Sequence, residues 1–159
     1  MALQDKLIER YGNPFTALKK FESTWMVMWD VPQWINTHIS ALPNAIYVNR
    51  DMVDPLRWAL ERTIQIGCYR EITHFGGVYN VRMQKGSTTK FSLHSFGLAI
   101  DLNPSDNQFR MTRDEALNKG LKPFSNTFFQ CFRDYSFTCG IDFKKNPDGM
   151  HMEYTYHLG

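Results

Sequence analysis

Two short stretches of the chain carry the residue types that metal chemistry needs. The first is Ser92-Leu93-His94-Ser95-Phe96-Gly97-Leu98-Ala99-Ile100-Asp101. Read as a strand from Leu98, it places Leu98, Ile100 and Leu102 on one face and Ala99, Asp101 and Asn103 on the other. The apolar face can pack on helices while Asp101 points into a site. Gly97 permits a tight entry into the strand, so His94 can fold back beside Asp101. An imidazole and a carboxylate brought together this way suit zinc.

The second stretch is Asp148-Gly149-Met150-His151-Met152-Glu153-Tyr154. Alternation puts His151 and Glu153 on one face and Met150, Met152 and Tyr154 on the other. His151 is a candidate third ligand from a neighbouring strand, and Asp148, on a Pro147/Gly149 turn, can lean over the same metal. Three protein ligands and one open position form a catalytic rather than a structural zinc site. Such a metal acidifies water and polarises a carbonyl, and a nearby carboxylate can shuttle the proton. A cation should stabilise the resulting oxyanion. Arg82, the first arginine upstream, is the candidate, because the planar guanidinium grips a carboxylate or oxyanion as lysine cannot.

Blander readings stand beside these. An isolated histidine is usually structural, which covers His38, His74 and His157; His157 shares strand parity with His151 and is its rival as a ligand. Glu153 reads either as an acceptor that orients a ligand histidine or as a solvent-facing residue. Ser92 lacks the Gly-x-Ser-x-Gly setting of a nucleophile, so it reads as a hydrogen-bonding residue to backbone or substrate. Asp101, Asn103 and Ser105 open like a calcium loop, but Asp106 and Thr112 break its pattern, and a solvated turn over 103–107 is expected.

The elements that must hold these residues follow from periodicity. A short amphipathic helix is expected over 2–10, ending at Gly12-Asn13-Pro14, and a strong one over 52–66 with Asn49 or Asp51 as cap, Pro55 in its first turn and Gly67 as stop. Further helices are expected from Thr112 to Gly120 and from about Ser125 to Thr138, with Cys131 on the latter and Cys139 at its end. Strands are expected over 71–74, 98–103 and 150–155. The patch of Trp25, Met26, Met28, Trp29, Val31 and Trp34 reads as core, with a groove wall as the alternative. Helices and strands do not alternate as in a parallel fold. The expected fold is α+β, one domain over 1–159, with a small antiparallel sheet that carries the zinc site and packs against helices.

Composition narrows the function classes. The chain has 159 residues, 43% hydrophobic and 21% charged, which suits a packed domain. A net charge of +2 without a dense Lys/Arg run argues against nucleic acid. Cys68, Cys131 and Cys139 form no framework and read as free thiols of a reducing compartment. The polar start Met1-Ala2-Leu3-Gln4-Asp5 lacks a signal-peptide core, and no apolar run is long enough to cross a bilayer. The expectation is a chain made in the cytoplasm, monomeric and without stable membrane association.

The pattern Ser-x-His-x-x-Gly-x-Ala-x-Asp, met at Ser92, His94, Gly97, Ala99 and Asp101, with Asp-x-x-His at Asp148 and His151, resembles the zinc D-alanyl-D-alanine carboxypeptidase and L-alanyl-D-glutamate endopeptidase family. That family includes vancomycin-resistance dipeptidases and phage endolysins. The resemblance implies a hedgehog/DD-peptidase-like fold, one zinc ion on His94, Asp101 and His151, Asp148 as general base and Arg82 as substrate-binding residue. Asp-x-x-His matches the endolysin-like branch, where the dipeptidases have Glu-x-x-His. The Trp- and Gly-rich stretch of many relatives is replaced by Gly140-Ile141-Asp142-Phe143-Lys144-Lys145-Asn146-Pro147.

The expected function is hydrolysis of a bond in the peptidoglycan stem peptide, by a phage endolysin of the L-alanyl-D-glutamate type that reaches the wall through a holin. A D-alanyl-D-alanine carboxypeptidase is the alternative within the same chemistry. A non-catalytic zinc-binding virion or wall-binding module is the alternative from another class, and the presence of Asp148 argues against it.

Overall fold

The apolar spacing of the N-terminal half is met by helices that close over a strand pair. The computed structural model describes residues 1–159. Helix α1, Leu3–Tyr11, buries Leu7 and Tyr11, one turn apart on one face. Helix α2, Leu18–Trp25, buries Phe21 and runs directly into strand β1, Met26–Asp30. Helix α3, Gln33–His38, leads to strand β2, Ala45–Asn49, which pairs antiparallel with β1 from Met26↔Asn49 to Asp30↔Ala45.

Helix α4, Arg50–Ile66, is the longest element. The Asn49 side chain accepts from Asp51 N, Gly67 ends the helix, and Met52, Leu56, Ala59, Leu60 and Thr63 form its buried stripe. Pro55 falls in the second turn rather than the first, because the helix starts at Arg50. The second sheet is built from β3, Phe75–Gly77, and β4, Ala99–Leu102, with β5, Thr138–Cys139, and β6, His151–Glu153. Its order is β3-β4-β6-β5 and every pairing is antiparallel. Between β4 and β5 lie α5, Arg113–Asn118, with a Thr112/Glu115 capping box, and α6, Asn126–Arg133, capped by Ser125. Leu98, Ile100 and Leu102 from the sheet pack with Phe128 and Phe132 of α6 and with Leu56 and Leu60 in one cluster of 29 buried residues. The architecture is therefore α+β with small antiparallel sheets.

Several expectations shift. Helix α6 stops at Arg133, not Thr138: Ser136 adopts a left-handed φ of 68°, and Thr138-Cys139 then pairs with β6. Cys139 is thus a buried strand residue, and Cys131 is buried on α6. Cys68 is only half-buried, with its sulfur 3.7 Å from that of Cys131. The strand expected over 71–74 begins at Phe75, since Cys68–Glu71 forms a 3₁₀ turn. Of the tryptophan-rich patch, Met26 and Val31 are buried, while Met28 and Trp34 are exposed.

Gly140 is where the last loop depends on the absence of a side chain. A Cβ there would collide with the carbonyl oxygen of Asp148, whose amide donates to Gly140 O at 2.8 Å. Gly140→Ala should cost about 1–3 kcal/mol through this overpacking. A denaturant titration checks it, and an unchanged midpoint would remove Gly140 from the list of constraints on Asp148.

Candidate metal centre

The register of β4 against β6 builds the site. Asp101 stands directly opposite His151, flanked by Ile100↔Met152 and Ala99↔Glu153. Opposed residues in an antiparallel pair have Cβ atoms about 4.5–5.5 Å apart on the same face. The apolar pair Ile100 and Met152 is fully buried behind them. His94 arrives from the 3₁₀ turn Leu93–Phe96, which Ser92 caps by accepting from His94 N and which ends at Gly97 with φ 65°. A Cβ at Gly97 would meet Met26 Sδ at 2.6 Å and Asn49 N at 2.8 Å, so the turn lies flush against the β1–β2 hairpin. Asn49 secures it further by donating from N to Gly97 O and from Nδ2 to Phe96 O.

The ring nitrogens are assigned by their partners. His94 Nδ1 lies 2.7 Å from the Val78 carbonyl, which can only accept, so Nδ1 carries the proton and Nε2 presents a lone pair. His151 Nε2 lies 2.6 Å from Glu153 Oε1, which leaves Nδ1 facing the site. Both free nitrogens converge on one oxygen: Asp101 Oδ1 is 3.2 Å from His94 Nε2 and 3.4 Å from His151 Nδ1. His94 Nε2 and Asp101 Oδ1 are buried without an aligned hydrogen-bond partner. Ligand atoms about 2.0–2.2 Å from a tetrahedral zinc stand roughly 3.3–3.6 Å apart. The three side chains, whose ligand atoms all lie within 4.8 Å of one another, therefore fit a metal ion.

Glu153 is thus the acceptor that holds His151, not a solvent-facing strand residue. His157 lies elsewhere, 2.5 Å from the Tyr11 hydroxyl and near Asp51, which removes it as a rival ligand. His38 bonds the Trp34 carbonyl and His74 the Thr73 hydroxyl. Asp148 lines the same cleft as Asp101 and His151, with Oδ1 buried and unpartnered. Burial raises its pKa; the charge of His151 opposes this and that of Asp101 adds to it. Arg82 lines the same cleft, of about 330 Å³, with Ser92, Asp101, Asp148 and His151. Its backbone is locked to the His94 turn by Ser95, whose hydroxyl donates to Arg82 O and accepts from Arg82 N. Its guanidinium forms no ion pair, donating only to Met83 O.

Sequence reasoning missed some supports. The Val78 carbonyl has no side-chain signature. The 103–107 turn is solvated only at its tip: Ser105 is exposed, whereas Asn103 and Asn107 are buried, and Asn103 Oδ1 accepts from Thr73 N and His74 N, tying β3 to the end of β4. The mix of Asn types there was the available signal. Phe109, Lys85 and Lys145 also line the cleft. None of the tryptophan-rich patch does, so the groove-wall reading fails.

Two histidines and one aspartate beside a carboxylate of raised pKa form an arrangement that can hold a metal ion and support hydrolysis. The family model described as D-alanyl-D-alanine carboxypeptidase matches residues 85–154. That span holds His94, Asp101, Asp148, His151 and Glu153. The segment that carries the site is similar to this peptidase family, as the two motifs lead one to expect. The match supports a peptidase acting on peptidoglycan. No curated protein matches the chain.

The carboxylates on either side of His151 favour its protonated form. Burial alone would lower the His151 pKa, but bonds to Asp101 and Glu153 push it up to about 10. Burial would raise Asp101, yet His151 and His94 hold it well below the ordinary carboxylate range. Metal must displace the His151 proton, so zinc affinity should rise about tenfold per pH unit between roughly pH 6 and 9. Competition titrations with a chromophoric chelator, corrected for its own protonation, measure this, and a flat profile would contradict the assignment of Nδ1. Glu153→Gln should weaken zinc binding about 10–100-fold with the fold intact. Retention of full affinity would return Glu153 to a surface role.

Proposed function

We propose that the chain hydrolyses a peptide bond in the peptidoglycan stem peptide, with Asp148 as general base and His94, Asp101 and His151 as ligands of one zinc ion. The observation that carries this reading is the buried, unpartnered Oδ1 of Asp148, a carboxyl group of raised pKa in the same cleft as three converging ligand atoms. A staple site has no use for it. Zinc held there supplies Lewis acidity, which acidifies water and polarises the peptide carbonyl.

The chain's own groups divide the remaining work. Asp148 accepts the proton of the attacking water and returns it to the leaving amine; its raised pKa brings it closer to the operating pH, which favours both transfers. The free guanidinium of Arg82 donates to a substrate oxygen, either the developing oxyanion or a carboxylate beside the scissile bond. Ser92 and Ser95 hold His94 and Arg82 in register. Glu153 keeps His151 from turning.

Within this chemistry we favour the L-alanyl-D-glutamate endopeptidase of a phage endolysin, because the motif is Asp-x-x-His. A monomer made in the host cytoplasm and released to the wall through a holin suits that role, and no helix is long and apolar enough to cross a membrane. A D-alanyl-D-alanine carboxypeptidase is the second reading, favoured by the description of the matching family. Mass spectrometry of products from defined stem peptides separates them: new D-glutamate amino termini support the endopeptidase, free D-alanine the carboxypeptidase. Zinc-loaded protein that releases neither would leave the non-catalytic module.

Asp148→Ala should keep the metal and lose at least about 10²-fold in kcat. Metal analysis and initial rates on the same sample check this. An unchanged rate would move the base role to another carboxylate.

A further inference from the structure

Two acids of the cleft are committed to the histidines, and its cations are committed to no carboxylate. Asp101 and Glu153 are bound to the histidines, and Asp148 lines the same cleft. Arg82, Lys85 and Lys145 line the same space, and none of them forms an ion pair with a protein carboxylate.

Lys85 is the most firmly placed of the exposed pair. Its ammonium sits 4.8 Å from the centroid of the Phe109 ring, in cation–π range. The other cation on that ring is Arg110, at 5.3 Å. Phe109 is itself fixed, because it bridges antiparallel to Asp148 and because Arg110 N donates to Pro147 O at 2.8 Å. Arg110 takes a left-handed φ of 61° to make this connection. The ring that carries Lys85 is therefore tied to the backbone of the proposed base, and the charge of Lys85 is felt at Asp148. Lys145 is contributed by the loop over 143–147.

We propose that Lys85, seated on Phe109 and assisted by Lys145, is a specificity residue that binds a second substrate carboxylate, so that the cleft selects stem peptides whose third residue bears a side-chain carboxylate. This rests on the peptidoglycan peptidase reading. One carboxylate beside the scissile bond suffices for Arg82. Two further unpaired cations call for another anion. Diaminopimelate at the third position supplies a carboxylate along with its ammonium; lysine at that position supplies an ammonium alone. The cleft would attract the first and repel the second, a difference of one full charge.

The test uses two synthetic stem peptides, identical except for meso-diaminopimelate or L-lysine at the third position, with zinc-loaded full-length protein. The wild type should show at least about a tenfold higher kcat/KM on the diaminopimelate peptide, carried mainly by KM. In Lys85→Gln that ratio should fall towards 1, while Lys85→Arg should keep most of it. Equal kcat/KM on the two peptides in the wild type, or a ratio unmoved by Lys85→Gln, overturns the inference. Calorimetric binding of the same peptides separates it from the hydrolase reading. Tighter binding of the diaminopimelate peptide without cleavage of either would keep the inference and sink the peptidase; equal affinities would sink the inference.

Discussion

The pairing of β4 with β6 is the constraint on which the site depends. It sets Asp101 opposite His151 with Ile100 and Met152 buried behind them. Side chains alternate with a period of two, so a slip of one residue in β6 would turn His151 into the core and Met152 into the cleft. The buried cluster beneath the sheet thus does more than stabilise the domain. Phe128, Phe132 and Leu56 penalise every register but one, and the ligand pair inherits that precision.

A second layer converts proximity into coordination chemistry. Two histidines near an aspartate would ordinarily form a hydrogen-bonded cluster and nothing more. Here the Val78 carbonyl and the Glu153 carboxylate each occupy one ring nitrogen, and the other nitrogen of each ring is aimed at Asp101 Oδ1. The surplus negative charge is what favours a proton on His151 and what favours a divalent cation in its place. Asp148 stays outside this exchange. It is held by a loop that Gly140 lets pass close by, and burial lifts its pKa instead of a partner lowering it.

Much of this was legible in the sequence because it is local and periodic. The alternation through Leu98–Asn103 and through Met150–Tyr154 assigned the faces correctly, and Asn49, Gly67, Thr112 and Ser125 marked the helix ends through their capping chemistry. What was not legible is what depends on contacts distant in the chain. Strand parity left His157 equal to His151; only the docking of the C-terminal turn on Tyr11 and Asp51 separates them. The end of α6 at Arg133 reflects the demand of β6 for a partner in Thr138-Cys139, which overrides helical spacing as far as Thr138. The 103–107 turn has the polar composition of a solvated loop, yet Asn103 is buried because it bonds the backbone ahead of β3. The cations of the cleft were visible as residues but not as neighbours.

The central claim is that His94 Nε2, Asp101 Oδ1 and His151 Nδ1 bind one zinc ion with an open position facing Asp148. Anomalous diffraction from zinc-soaked crystals, recorded on both sides of the zinc edge, tests it most directly. The account predicts a single strong peak about 2.0–2.2 Å from each of those three atoms, with Glu153 still on His151 Nε2. A peak coordinated by Glu153 or Asp148 in place of one of the three, or no peak at the cluster at all, would contradict it.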